Sequence, residues 1–214
     1  MPVQRTPLPR HLPTSTVTTA VLLVGAAAVP PATAATRTGG PSQRPPLFSV
    51  AEISARRIAT GDLVAAAKWG AGEPVDDPAR EQRVLDSAAG QARKLGADPR
   101  LTRLVFRDQI EANKKVQRGL HRLWRDHPGE APTDRPDLDE AREEIDHLNE
   151  ALVRAVADAA PYRRSVTLCR TALAVSAGRV GRDRSLDELH AAALDVALRS
   201  VCAAANGVPR DGHA

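Results

Sequence analysis

The chain has 214 residues, 30 Lys and Arg against 26 Asp and Glu, a formal charge of +4 and two cysteines. Acids and bases interleave throughout, and the only aromatic rings are Phe48, Trp69, Phe106, Trp124 and Tyr162. So few rings leave little for stacking on bases, and the mixed charge offers no basic stripe, which argues against a nucleic-acid partner.

The N-terminus reads as an export signal. Arg5 and Arg10 precede an apolar run from Val17 to Val29, and Ala32-Thr33-Ala34 places small residues where a signal peptidase cuts. The run is too short to span a bilayer comfortably. Residues 1–34 are therefore expected to be a cleaved signal peptide, and residues 35–46, rich in Gly, Pro, Thr and Ser, a disordered leader. The destination is secreted or periplasmic, with no membrane attachment after cleavage. Loss of Arg5 and Arg10 with the signal lowers the formal charge from +4 to +2. Residues 47–214 remain, about 170 residues, enough for one domain with a sizeable core.

Helix signals then follow one another. Ser49 with Glu52 has the spacing of a capping box, and Phe48 with Ile53 that of its hydrophobic staple. The first helix should reach about Trp69, where Gly70 and Gly72 end it. Asp77-Pro78 pairs an N-cap with a first-turn proline and opens a second helix that stops near Gly96. Asp98-Pro99 repeats the signal for a long helix to Asp126. Three prolines make His127 to Pro136 an extended loop. Asp137 with Glu140 caps a fourth helix that ends before Pro161. Helices from Tyr162 to Val180 and from Leu186 to Ala204 complete the chain, the last capped by Ser185 with Glu188. No β-branched alternation reads as a strand. The expectation is an all-α single domain of about six helices.

Polar groups interrupt the apolar stripes of three of these helices. In the third helix Phe106, Ile110, Asn113, Gln117, Leu120 and Trp124 recur at spacings of three and four. The fourth carries Leu138, Arg142, Ile145, Asn149, Leu152 and Val156. In the first, Val50, Arg57, Gly61, Val64 and Lys68 share a side. Eleven residues make three helical turns, so Arg57 and Lys68 point the same way about 16 Å apart along the axis. Taken singly, each polar residue has an ordinary reading. Arg142 can snorkel from a helix edge, Lys68 can answer the helix dipole, and Asp77 can be a cap alone. Asn113 with Gln117 can fix register, and Arg80 and Glu81 can sit on a solvated face. Burying unpaired charges and amides costs several kcal/mol, so their joint occurrence on three helices points to a polar cavity filled by an anionic ligand.

Other chemistries lack their residues. Six histidines are scattered at positions 11, 121, 127, 147, 190 and 213, with no HExxH pair. There is no phosphate-cradling glycine loop and no nucleophile elbow. The expected site uses no metal and no cofactor. In an exported chain Cys169 and Cys202 are read as a disulfide, the alternative being two buried free thiols.

Arg57, Lys68, Asp77, Arg80, Glu81, Asn113 and Gln117, at these spacings, resemble the all-helical chorismate mutases. The strings VAAAKWGAGEPVDDPARE (64–81) and VFRDQIEANKKVQ (105–117) carry the similarity most clearly. The signal peptide, DLDEAREEIDHLN (137–149) and the cysteine pair resemble the secreted, gamma subclass. That resemblance implies a chorismate mutase II-like helical bundle converting chorismate to prephenate. It also implies a homodimer in which each protomer holds a complete site. Arg57 and Arg142 would bind the two carboxylates of chorismate, and Lys68 its ether oxygen and a carboxylate. Gln117 would donate to the same ether oxygen, making Lys68 and Gln117 the catalytic pair. Arg80, with Asp77 and Glu81, would hold the ring hydroxyl and carboxylate region, and Asn113 stands where the family has a small hydroxyl residue. Val84 replaces a glutamine of close relatives, and Gln117 a glutamate of several. Competing expectations are an isochorismate pyruvate-lyase, or a secreted helical module that binds an acidic metabolite or partner without turnover.

Overall fold

In the computed structural model, residues 45–134 and 136–203 are described. The proposed signal peptide and most of the leader therefore lie outside the described residues. Six α-helices, with no strand among the described residues, run α1 (Pro46–Ala71), α2 (Pro78–Lys94), α3 (Pro99–Asp126), α4 (Leu138–Asp158), α5 (Val166–Asp183) and α6 (Glu188–Ala197). Short 3₁₀ turns, Pro128–Glu130 and Ala160–Arg164, flank α4. None of these helices is long and apolar enough to cross a membrane.

Capping chemistry sets most boundaries. Asp77 accepts from the Arg80 amide, Asp98 from Arg100 and Leu101, and Asp137 from Asp139. Each satisfies backbone N–H groups that the first helical turn leaves unpaired. Two helices end in a glycine of positive φ. Gly72 (φ 69°) closes α1 and Gly96 (φ 67°) closes α2. In both, the next residue donates back five positions, Glu73 to Lys68 O and Ala97 to Ala92 O, the paired bonding of a Schellman end.

Four expectations are corrected. Helix α1 begins at Pro46, with Ser49 already donating its amide to Pro45 O at 3.1 Å. The Pro45-Pro46 pair supplies a fixed φ and no surplus N–H, so the helix starts before Ser49 can cap it. Glu52 instead faces Arg184, which closes α5. Helix α5 does not begin at Tyr162, because residues 160–164 form the 3₁₀ turn and Ser165 caps the helix. Ser185 is not the cap of α6. It lies at φ 51° with Leu186 N bonded to Gly181 O, so its conformation terminates α5, and Asp187 takes over as cap by accepting from the His190 amide. Helix α6 is also shorter than expected, ending at Ala197 and passing into turns.

Helix α1 is the hub, packed against α3, α4, α5 and α6. Small residues on it (Ala51, Ala55 and Ala65, all essentially buried) let these neighbours approach closely. Ile58, Phe106, Leu152, Val153 and Val156 fill the core between α1, α3 and α4. Gln109 ties three helices together, donating to Ser54 Oγ at 2.7 Å and to Ala197 O at 3.1 Å. Cys169 and Cys202 are joined by a disulfide.

Candidate active site

The polar interruptions of the stripes meet in one cleft between α1, α2, α3 and α4. Arg57, Lys68, Asp77, Arg80, Glu81, Asn113, Gln117 and Arg142 all line it, with Val64, Val75, Val84, Ile110, Leu138 and Ile145 as its apolar walls. Its empty space, about 670 Å³ with the open mouth included, is in the range that holds a small organic ligand. The fold thus gathers all eight residues singled out from the sequence, seven from four helices and Asp77 from the cap of α2.

Arg57 sits deepest. It is 4% exposed, its Nε donates to Asn149 Oδ1 at 3.1 Å, and its guanidinium lies over the Phe106 ring at 5.5 Å. Burial lowers its pKa to about 10, against the opposing pull of Asp146. A buried cation under that strain gains from any carboxylate brought into contact with it.

Lys68 lies one turn from the end of α1, and its ammonium reaches the α1–α2 loop. Nζ donates to Pro74 O and to Val75 O, each at 2.8 Å. Burial pulls its pKa below the ordinary 10.5, with Asp77 and Glu73 opposing. An ammonium has three hydrogens. Two point at neutral carbonyls, which leaves one N–H and the full positive charge for the cleft.

A chain of amides sets the direction of Gln117. The Arg57 carbonyl can only accept, so Asn113 turns Nδ2 to it at 3.1 Å and presents Oδ1 to Gln117. Gln117 Nε2 donates to that oxygen at 2.7 Å. This network assigns the amide orientation, and one Gln117 N–H remains free. Gly61 makes the approach feasible, because a Cβ there would lie 3.3 Å from Asn113 Nδ2. Asn113 therefore acts as a support for Gln117 as well as a wall of the cleft.

At the α2 side, Asp77 Oδ1 accepts from the Arg80 amide and Glu81 Oε1 from the Asp77 amide. The Asp77 carboxylate thus has a capping duty besides its place in the cleft. Arg80 Nη2 is buried without a hydrogen-bond partner, and Asp146 lies 4.0 Å away. Gln117 Oε1 is likewise buried and unpartnered. Buried polar atoms are nearly always paired, and these two belong to residues of the same cleft. Arg142 stands at the rim, about a third exposed, with Nη1 on Asp139 at 2.8 Å. Val84 contributes an apolar surface where the resemblance implies a glutamine in close relatives, and Glu81 pairs with Lys114.

Sequence reasoning missed Lys114, which lines the cleft and contacts three carboxylates. Only the Glu111–Lys114 spacing was visible as a helical pair; its other partners come from a different helix and a loop. Asp146, between Arg80 and the Arg57–Asn149 pair, was missed for the same reason.

An all-helical domain with a cationic cleft between four helices agrees with the chorismate mutase resemblance of the sequence. Residues 50–118 match that family, described as chorismate mutase type II. The secreted chorismate mutase of Mycolicibacterium smegmatis is 36% identical over 157 residues, covering 73% of this chain and 86% of that protein. The secreted chorismate mutase of Mycobacterium tuberculosis is 32% identical over 172 residues, covering 78% and 82%. The crystal structure of the Burkholderia thailandensis chorismate mutase superposes with a TM-score of 0.70 at 32% identity, over 73% of this chain and 99% of that one. The chain belongs to the secreted, all-helical chorismate mutases.

Proposed function

We propose that the cleft binds chorismate and converts it to prephenate, with Lys68 and Gln117 as the catalytic pair. The reaction breaks a C–O bond and forms a C–C bond within one molecule, and it needs no proton transfer and no covalent intermediate. The protein has two tasks. It holds the enolpyruvyl arm over the ring in the reactive conformation, and it stabilises the negative charge that gathers on the ether oxygen.

The observation that carries this reading is the state of Lys68, a cation in the cleft with two hydrogens held by loop carbonyls and one free. Its position is fixed before substrate arrives, so no reorganisation is needed as charge develops. The free N–H of Gln117, aimed by Asn113, supplies the second donor. Arg57 and Arg142, at the deep and rim ends, suit the two substrate carboxylates, and Arg80 with Asp77 and Glu81 suits the ring hydroxyl and its neighbouring carboxylate. The dimer belongs to the same reading and is supported by the resemblance; sedimentation equilibrium tests it.

Purified protein mixed with chorismate should consume its ultraviolet absorbance, with prephenate recovered as phenylpyruvate after acid treatment. Lys68→Ala should lower kcat by orders of magnitude. A rise in KM with kcat intact would make Lys68 a binding residue only and overturn its assignment. Isochorismate, supplied separately, should yield no salicylate.

A further inference from the structure

Two lysines line the cleft, and they are wired in opposite ways. Lys68 meets only neutral carbonyls. Lys114, on α3, has its ammonium 2.7 Å from Glu111 Oε1, 3.1 Å from Asp76 Oδ1 and 3.2 Å from Glu81 Oε1. Three hydrogens face three carboxylates, so no donor is left for a ligand, and its charge is more than neutralised. Burial alone would lower its pKa, but the hydrogen bonds it donates to Glu111, Asp76 and Glu81 outweigh that and raise it. Its side chain is only 11% exposed.

What Lys114 holds is the α1–α2 loop. Asp76 is at the end of that loop, and Arg118, one turn along α3, grips both its oxygens at 2.7 and 2.9 Å. Glu81 is in the first turn of α2, and its Oε1 accepts from the Asp77 amide. Lys114 thus ties the loop to the start of α2 and both to α3. The carbonyls of Pro74 and Val75, the two residues just before Asp76, are the ones that aim the Lys68 ammonium. The chain of contacts runs Lys114, Asp76, loop carbonyls, Lys68.

We infer that Lys114 is a positioning residue for Lys68, acting through Asp76 and the α1–α2 loop rather than by touching the substrate. This rests on the assignment of Lys68 as a catalytic cation. Without Lys114, Glu81 and Glu111 lose their shared cation and Asp76 keeps only Arg118, so the loop loosens from α2 and the free N–H of Lys68 loses its aim. Misplacement of a reacting group by about 1 Å can cost about a hundredfold in rate.

The test is steady-state kinetics of Lys114→Met, Asp76→Asn and their combination, with circular dichroism and thermal melting to confirm folding. Lys114→Met should lower kcat by about tenfold or more and change KM less. Asp76→Asn should lower kcat in the same way, and the double variant should be no worse than the poorer single one, because both break the same link. Lys114→Arg, which keeps charge and donors, should recover most of the rate. A kcat within twofold of wild type in folded Lys114→Met overturns the inference. So do effects of the two substitutions that multiply, or a loss confined to KM, which would mark direct attraction of the substrate. If Lys114→Met does not fold, an unchanged kcat in Asp76→Asn overturns the inference equally. Absence of turnover in the wild-type protein would instead remove the reaction assignment itself, and with it the role of Lys68.

Discussion

Gln117 shows how one side chain decides a pH profile. A carboxyl at that position would have to be protonated to donate, whereas an amide donates at every pH. Apart from Lys114, whose pKa is raised, the groups of the cleft whose pKa is moved are Arg57, lowered to about 10, and Lys68, lowered from 10.5. Both are charged throughout the neutral range and lose their protons on the alkaline side. The expected profile of kcat/KM, which reports the free enzyme, is flat through neutrality with a fall only in alkaline buffer. Gln117→Glu should replace the flat region with activity that climbs toward acid. Its carboxyl would face Asn113 Oδ1, an acceptor, and can bond there only when protonated. A wild-type profile that drops steeply between mildly acidic and neutral buffer would overturn this account.

At the scale of elements, α6 is the piece most dependent on charge. It is ten residues long and contributes nothing to the cleft lining, yet it docks on α1 through His190. That ring bridges Asp62 of α1 at 2.9 Å and Asp187, its own N-cap, at 2.8 Å. The Asp62 hydrogen bond, opposed by burial and reinforced by Asp187, raises the His190 pKa to about 9 from 6.5. A raised pKa means that the folded chain holds the proton more tightly than the unfolded one. The stabilisation is therefore complete below pH about 6.5 and is lost as pH rises through about 9. Thermal melting temperature should fall over that window in the wild-type protein, and His190→Gln should lose this component of the fall while leaving kcat at neutral pH unchanged. A wild-type melting temperature flat across the window would remove the clamp. This bridge was not legible in the sequence, because Asp62 and His190 are 128 positions apart. Caps were legible where the signal is local, as at Asp77, Asp98 and Asp137. Two of the misread boundaries are those where local signals competed. Pro45-Pro46 pre-empted Ser49, and the positive φ of Ser185 served the end of one helix rather than the start of the next.

For the whole molecule, the cleft and the covalent staple occupy different regions. Helices α1 to α4 and the α1–α2 loop supply every residue that lines the cleft, while the disulfide joins Cys169 on α5 to Cys202 in the turns after α6. Arg57, Lys68, Asn113, Gln117 and Arg142 could be grouped from spacing because they repeat at helical intervals on inward-facing stripes and a helix turns by a fixed angle per residue, whereas the roles of these residues and of Asp77, Arg80 and Glu81 came from the resemblance. What spacing could not reveal is how the stripes brace one another, since Lys114, Asp146 and Gln109 take their meaning from partners on other elements. The staple should accordingly affect stability and not chemistry. Its ends are 33 positions apart, and closing a loop of that length restricts the unfolded chain by about 3–4 kcal/mol on the chain-entropy view. Denaturant unfolding of the oxidised and the reduced protein should differ by about that amount, with kcat the same in both forms at a temperature where both are folded. A difference well under about 1 kcal/mol would mean that the unfolded chain is already compact around these cysteines. A fall in kcat on reduction, with folding retained, would mean that α5 and α6 brace α1 firmly enough to set the aim of Arg57 and Lys68 from behind.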